Sequence, residues 1–410
     1  MAWRNIWRNP RRTILTIAAI TFASLLLVFM LSFQFGSYDA MINASVKINT
    51  GHLQVQAREY QDNQSMHLVV QDPAAVGRIL DQAPGVKAYT FRAKSFSLAS
   101  SRERTYGVVV IGIDPVREAN VSSLIHLIRQ GRFLAADDPE HTTVPAIIGK
   151  LLANNLKVGL GDELTVLGQG RDGGIAATVL NIKGIYSSGL EEFDRSSIHI
   201  PLKHFQEIYA MRGAVHEVVV IAKSLQHVPA IKQYVVHGIQ PFNRKQPLAV
   251  LDWEELMPGL RQAIDMDLVS GIIFYLILII VVAFSILNTF LMAIFERTRE
   301  FGVMMAMGTT PGRLTKLLLF ESSAMTAIGI VAGVILGCLV TGYFQVHGID
   351  LGGSSEILSQ YGISGRLYPR LSLLSAVSGP LAVLVITFVA ALYPALKVRG
   401  LRPVEAMTYV

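Results

Sequence analysis

The sequence predicts an α-helical membrane protein with four transmembrane helices and a large extracytoplasmic α+β domain between the first and second of them. Three observations carry that expectation. Of 410 residues, 51% are hydrophobic and 16% charged, where a soluble domain carries about a quarter charged residues. The excess apolarity sits in four stretches without Asp, Glu, Lys, Arg or His: Thr13–Tyr38, Leu268–Phe295, Ser322–Val346 and Leu371–Leu396. The 229 residues between the first two runs instead mix alternating and helix-periodic segments.

The shortest of the four runs has 25 residues, and about 20 helical residues cross a hydrocarbon core. Residues 1–12 form a basic N-terminus and 13–38 the first span. A signal peptide's apolar region is only about 7–15 residues long and ends at a small-x-small site. This run is longer and leads into Gly36-Ser37-Tyr38-Asp39, so it reads as a retained anchor.

Charge sets the expected topology. Arg4, Arg8, Arg11 and Arg12 precede the first span. Arg297, Arg299, Arg313 and Lys316 lie between the second and third, and Lys397, Arg399 and Arg402 follow the fourth. Only Glu296, Glu300, Glu321 and Glu405 oppose them, while the 347–370 loop balances Arg366 and Arg370 against Asp350 and Glu356. Positive-inside logic places both termini and the 296–321 loop in the cytoplasm and 39–267 outside. The segment 39–267 holds 23 basic and 24 acidic residues, so the net charge of +6 orients the chain. No basic patch suited to nucleic acid is visible. The one cysteine, Cys338, lies inside the third span, which leaves no internal disulfide to staple the outer domain.

Within 39–267, HLQVQAR (52–58) alternates as a half-buried strand does. DPAAVGRIL starts a helix with Asp72 as N-cap and Pro73 at its first position. YGVVVIGI (106–113), ELTVLG (163–168), ATVLNIKGIY (177–186) and HEVVVIAK (216–223) read as strands. Lys150–Leu156, Leu202–Met211 and Val228–His237 read as helical pieces, and the interleaving suggests an α+β unit of two lobes. Asp252 with Glu255 forms a D-x-x-E capping box. Pro258-Gly259 then kinks or interrupts a stalk leading to the second span at 268–295.

No catalytic constellation appears. Gly149-Lys150 is followed by Leu151 and lacks the upstream glycine of a phosphate loop. No H-E-x-x-H, cysteine pair or G-x-S-x-G occurs. The ten histidines are scattered, and the five-residue spacing of His199 and His204 suits no ligand pair. The expectation is a non-catalytic chain with no metal and no cofactor of its own.

The spans carry packing signals instead. Gly329, Gly333 and Gly337 make a G-x-x-x-G-x-x-x-G row in the third span (322–346). It serves either packing within the bundle or a subunit interface. Asn288 and Gln34 can bond across helices, Glu321 reaches the membrane interface, and Pro380 permits a kink in the fourth span (371–396). No charge lies deep in any span, as an ion path would require.

The loop FERTREFGVMMAMGTTPGRL (295–314) reads as a short amphipathic helix with a stop and a restart. Phe301, Met304, Met305 and Gly308 share one face, and Arg297 can pair with Glu300. Gly308 can adopt the left-handed conformation that ends a helix. Thr310 caps the next helix, with Pro311 at its first position. The methionine-rich face is either a docking surface or an interfacial face lying on lipid.

This loop and its flanks, NTFLMAIFERTREFGVMMAMGTTPGRL (288–314) and FESSAMTAIGIVAGVILG (320–337), resemble the ABC transporter permease family of FtsX, MacB and the lipoprotein-release permeases LolC and LolE. AIIGKLLANNLKVGLGDELTVLG (146–168) is similar to part of that family's outer domain. YPALKVRGLRPVEAM (393–407), running into the cytoplasmic tail at 397–410, is similar to its C-terminal signature. The resemblance covers the chain's length and is specific to the family, not to a substrate. It implies a multi-pass protein of the bacterial inner membrane and a coupling helix within Glu296–Gly308. Glu296, Arg297, Arg299, Glu300, Phe301, Met304, Met305 and Gly308 would then meet a cleft of a separate ATPase. It also implies a dimer of ATPase subunits carrying ATP and Mg, and a second permease that is identical or different. Family members often carry a basic residue where this chain has Met304-Met305, so the polar contacts there differ. The implied mechanism is mechanotransmission through the second-span stalk. The implied roles are release of lipoproteins or lipophilic molecules, activation of an extracytoplasmic cell-wall hydrolase, or drug and peptide efflux with a periplasmic adaptor. Length and the four-span layout favour the first.

Overall fold

The computed structural model describes residues 10–135, 143–241, 247–350 and 366–397. Arg4, Arg8, Glu356, Arg399, Arg402 and Glu405, with most of the C-terminal signature, lie outside the described residues.

In chain order, α1 (Pro10–Ser45) contains the first span and passes into a π-helical turn, Val46–Thr50. There follow β1 (Leu53–Ala57), α2 (Pro73–Gln82), β2 (Val86–Ser100), β3 (Thr105–Ile113), α3 (Pro115–Val121) and β4 (Ile128–Gly131). Next come β5 (Val144–Gly149), α4 (Lys150–Leu156), β6 (Glu163–Gln169), β7 (Ile175–Tyr186), α5 (Glu191–Ser196), β8 (Ser197–Pro201) and α6 (Leu202–Ile208). The domain ends with β9 (Glu217–Ala222), α7 (Val228–Ile239), β10 (Leu248–Asp252) and α8 (Trp253–Leu256). The remaining helices are α9 (Pro258–Glu296), α10 (Thr298–Ala306), α11 (Pro311–His347) and α12 (Leu373–Lys397), with the short pair β11 (Ile349–Asp350) and β12 (Arg366–Leu367) before the last. Described residues 10–38, 263–350 and 366–397 form one compact unit, and those between 39 and 262 form another.

The second of these units is built around β2. Its first half, to Arg92, pairs antiparallel with β9. Its second half pairs with β3 on one edge and, from Ser97, with β6 on the other. Two lobes follow from that fork. In one, β2, β9, β1 and β10 run side by side. In the other, the pairings β2–β3, β3–β8, β8–β5, β5–β7, β7–β6 and β6–β2 close a ring of six strands.

Each lobe has its own core. Ala93, Ala99, Val110, Ile148, Leu164, Val166, Leu180 and Ile198 fill the ring, plugged by Phe205 of α6 and by Tyr209, whose hydroxyl is 2.7 Å from that of Ser97. In the open lobe, Leu53, Val55, Val218, Val220 and Val250 face Val76 and Leu80 of α2 and Ile231 and Val235 of α7. Helix α2 starts as its sequence requires, with Asp72 accepting from the Ala75 amide at 2.9 Å and Pro73 at the first position. The Asp252/Glu255 capping box is complete at α8, and Met257 breaks the helix before Pro258 starts α9.

Strand β1 departs from the expected half-buried pattern: all five residues are buried. It is an inner strand between β9 and β10. One face meets α2 and α7, and on the sheet's other face Val121 of α3 packs against Val219 and Ile221. Strand β2, the longest in the domain, escaped the sequence reading. Its buried positions include Thr90, Arg92, Ser95 and Ser97. Arg92 is paired with Glu118 of α3 at 2.6 Å, and Lys94 with Glu217 of β9 at 2.7 Å.

Among the described residues, the membrane unit contains four helices long and apolar enough to cross a bilayer. Helix α1 is its axis: Ile20, Leu27 and Val28 are almost wholly buried. Gly329, Gly333 and Gly337 of α11 lie against it, and so does Gly379 of α12, where an added Cβ would come 2.8 Å from that of Leu27. Helix α9 presents a narrower inner stripe, with Ile286, Phe290 and Ile294 buried and Ile272, Leu276, Val281 and Phe284 exposed.

Candidate functional site

The loop between the second and third spans folds into α10, a nine-residue helix pinned at both ends. At its start the Arg297 amide bonds the Ile294 carbonyl at 3.1 Å, and the Thr298 hydroxyl donates to the same oxygen at 2.9 Å. At its end the Thr309 amide reaches the Met304 carbonyl and the Gly308 amide the Met305 carbonyl, both at 3.0 Å. With Gly308 at φ +95°, this is the Schellman arrangement, which satisfies the last carbonyls and stops the helix. Thr310 takes the N-cap position of α11, but its side chain makes no cap bond. Pro311 at the first turn lacks an N–H to satisfy, and its fixed φ starts the helix.

Arg297 secures this element laterally. Its guanidinium pairs with Glu300 at 3.3 Å and with Glu321 of α11 at 3.4 Å, and lies over the Phe301 ring at 5.5 Å from the centroid. Glu321 therefore has a partner within the protein, and the two charged side chains are only 18% and 12% exposed. Beneath them, Phe301 and Met305 are buried with Ile294 and Leu314, and Met304 packs against the same cluster.

Of the face chosen from the sequence, Phe301 and Met305 are turned inward, Met304 is half-buried and Gly308 is exposed. Phe301 is 1% exposed, because the apolar side of α10 closes the gap between the ends of α9 and α11. The outward face is Arg299, Val303 and Met307, with Ala306 and Gly308 beside them and Glu296 exposed just before the helix. Val303 and Met307 follow Arg299 at i+4 and i+8, which puts them in one row. The sequence reading named neither of these exposed residues. The available signal was that row itself, opposite the more apolar side.

The glycine row faces α1 of the same chain. A Cβ on Gly329 would stand 2.8 Å from the Ile20 Cβ, and one on Gly337 3.0 Å from the Val28 Cβ. The Thr21 hydroxyl donates to the Gly329 carbonyl at 3.1 Å. Of the two readings open from sequence, packing within the bundle describes this contact. Asn288 is exposed on α9. Gln34 bonds across to that helix, its amide oxygen accepting from the Tyr275 hydroxyl at 2.8 Å.

In the domain, no cluster of His, Cys, Asp and Glu able to hold a metal occurs among the described residues. His52, His199 and His216 are buried core histidines. Burial, aided by the positive charges of Arg92 and Lys94, lowers His199 to about 3. Burial likewise brings His52 and His216 to about 4. All three are neutral, and none adjoins a nucleophile or a phosphate cradle.

The sequence matches the MacB-like periplasmic core domain over residues 13–237 and the FtsX-like permease C-terminal region over residues 272–403. It is 23% identical over 348 residues to the lipoprotein-releasing system transmembrane protein LolC of Neisseria meningitidis serogroup B, covering 81% of this chain and 80% of that one. It is 24% identical to the macrolide export ATP-binding/permease protein MacB of Nitrobacter winogradskyi, over 97% of this chain but 58% of that protein. The crystal structure of the periplasmic region of MacB from Actinobacillus actinomycetemcomitans is similar at a TM-score of 0.39 and 14% identity, over 55% of this chain and 95% of that one.

Proposed function

Since this chain belongs to the ABC transporter permeases that join a MacB-like periplasmic core to an FtsX-like C-terminal region, a multi-pass family of the inner membrane, we propose that it converts ATP hydrolysis on a partner into movement of its extracytoplasmic domain. One observation carries the reading. Helix α10 is locked by the Arg297–Glu321 pair and a glycine stop, yet leaves the row Arg299, Val303 and Met307 uncovered. A short rigid helix with one basic and two apolar side chains outward is suited to a cleft on another protein. An anchor lying on lipid would turn its apolar Phe301 side outward instead.

The nucleotide engine lies outside these 410 residues, which contain no phosphate loop. A dimer of ATPase subunits holding ATP and Mg supplies it, and the positive-inside rule puts α10 and both termini on the cytoplasmic side with that partner. The glycine row is occupied within the chain, so a second permease, identical or different, meets this one through other surfaces.

The cargo reading is release of lipoproteins or other lipophilic molecules. Two things support it: the lipoprotein-releasing relative and an exposed apolar strip on the outside of the strand ring. Phe96, Leu98 and Leu167 are 65%, 50% and 47% exposed there and, with Gly107, line a groove of about 610 Å³. Soluble surfaces rarely cluster large apolar side chains without a ligand.

The test is to purify the tagged chain from its native membrane and identify what accompanies it. A stoichiometric ATPase, lost when Arg299→Glu and Met307→Asp are combined, supports the reading. Undiminished capture by that double variant, or no ATPase with the wild type, overturns it.

A further inference from the structure

The two ends of the inner stripe of α9 differ in kind from its middle. Toward α10, the helix ends at Arg297 and its ion pair to α11. In the middle, Leu278, Ile279, Val282, Ile286 and Phe290 pack with Ile20 and Leu27. At the end nearer Pro258, the stripe becomes Asp267, Gly271 and Tyr275, which fall in one row at i, i+4 and i+8.

Opposite them on α1 stand Gln34 and Tyr38, also four residues apart. The Tyr38 hydroxyl donates to Asp267 Oδ2 at 2.6 Å. The Gln34 Nε2 donates to the same carboxylate oxygen at 3.1 Å and to the Tyr38 hydroxyl at 2.8 Å. The Tyr275 hydroxyl completes the set at Gln34 Oε1. Gly271 makes room: a Cβ there would be 2.6 Å from Gln34 Nε2.

This fastening differs in kind from the contact that α1 makes with α11. The glycine seam between α1 and α11 is backbone against side chain, and nothing outside the protein can replace it. The polar cluster is different, because Asp267 is exposed and water or headgroups can take over each of its bonds. Exchanging such bonds for bonds to water changes the free energy far less than breaking them unreplaced, because each lost protein bond is offset by one to solvent. The mostly exposed outer face of α9 also leaves this helix freer than the other spans to move.

We infer that Gln34, Tyr38, Asp267 and Tyr275 form a reversible latch that holds the second span against the first at rest and parts during the transport cycle. These are positioning residues. The inference rests on the reading that α9 carries motion between α10 and the domain.

The experiment is cross-linking in native membranes. The chain keeps all four latch residues and carries cysteines beside them, Phe35→Cys on α1 and Leu268→Cys on α9, with Cys338→Ser, and a short bifunctional thiol reagent is added to ATP-depleted or energised cells. Efficient cross-linking at rest, slowed severalfold on energising, is the expected result. Equal rates in both conditions overturn the latch, and so does a chain that keeps full activity when cross-linked. In parallel, Tyr38→Phe, Asp267→Asn and their combination are expected to raise basal ATP hydrolysis severalfold. The double variant should resemble either single one, with the amount of bound ATPase unchanged. Additive effects, or none, count against a single latch. Absence of any bound ATPase would instead sink the docking reading, which capture decides independently of the cross-linking rates.

Discussion

Gly333 of the third span lies so close to Ser24 of the first that a Cβ on the glycine would stand 2.5 Å from the serine's own, and 2.6 Å from the Thr21 carbonyl oxygen. Backbone cannot withdraw as the end of a flexible side chain can. Gly333→Ala is therefore expected to force the two helices apart, at a cost of about 1–3 kcal/mol, and Gly333→Leu to abolish folded yield. Gly342, on the same helix, has open space where a Cβ would go, and Gly342→Ala should leave stability unchanged. Thermal unfolding of the detergent-purified variants measures this, and equal midpoints for the two alanine variants would refute the seam.

The pair formed by Arg297 and Glu321 gives a second prediction. Both side chains are largely covered, so removing one partner leaves the other charge poorly solvated. Glu321→Ala should lower stability by roughly 2–4 kcal/mol and loosen α10, seen as faster amide exchange over 298–306. The exchange of charges, Arg297→Glu with Glu321→Arg, should recover part of that loss. A charge-swapped chain no better than the single variant would show that the contact contributes little.

On the proposed function, the two faces of α10 carry separate roles, fold on one and docking on the other. Phe301 is enclosed with Ile294, Met305 and Leu314, and Phe301→Ala should destabilise the chain by about 3–5 kcal/mol. Val303, 45% exposed on the opposite side, can become Asp with stability nearly intact, while the amount of co-purifying ATPase drops severalfold. The two readouts must therefore dissociate. If Phe301→Ala and Val303→Asp each affect both equally, the assignment of faces fails.

How much of this was readable beforehand follows from the range of each signal. The spans are local and long, so uncharged runs located them. Strands β3, β6, β7 and β9 also carried their own apolar pattern. Strand β2 did not, because the partners that neutralise Arg92 and Lys94 are Glu118 and Glu217, far off in sequence. Helix α10 was located from Gly308, Pro311 and its period. Which of its sides is uncovered was not, because an amphipathic pattern says that one side is covered without saying by what. The apolar side is covered by Ile294 and Leu314 of this chain. Likewise Gln34 announced a bond across helices, but nothing local tied it to Asp267, 233 residues away.

The buried histidines make the domain sensitive to acid. Burial is the leading cause in each case. The charges of Arg92 and Lys94 add to it at His199, and that of Lys47 at His52. At His216, Glu217 works in the opposite direction without cancelling the effect. The folded values are about 3, 4 and 4, against about 6.5 for an unfolded histidine. Because the folded values are depressed, the unfolded chain binds the extra protons. The contribution to stability is complete above about pH 7 and is lost as pH falls toward 4 and then 3. Carboxylates titrate mostly below pH 5, so the histidine effect is cleanest between pH 8 and 5. Over that window the domain should lose a few kcal/mol. With Trp3→Phe and Trp7→Phe, Trp253 is the one tryptophan left, and its fluorescence follows denaturant unfolding of the domain in the full chain. A midpoint that falls steadily from pH 8 to 5, and falls less in a His199→Gln variant, is the expected result. A flat profile would mean that these rings reach solvent or find partners before the domain unfolds.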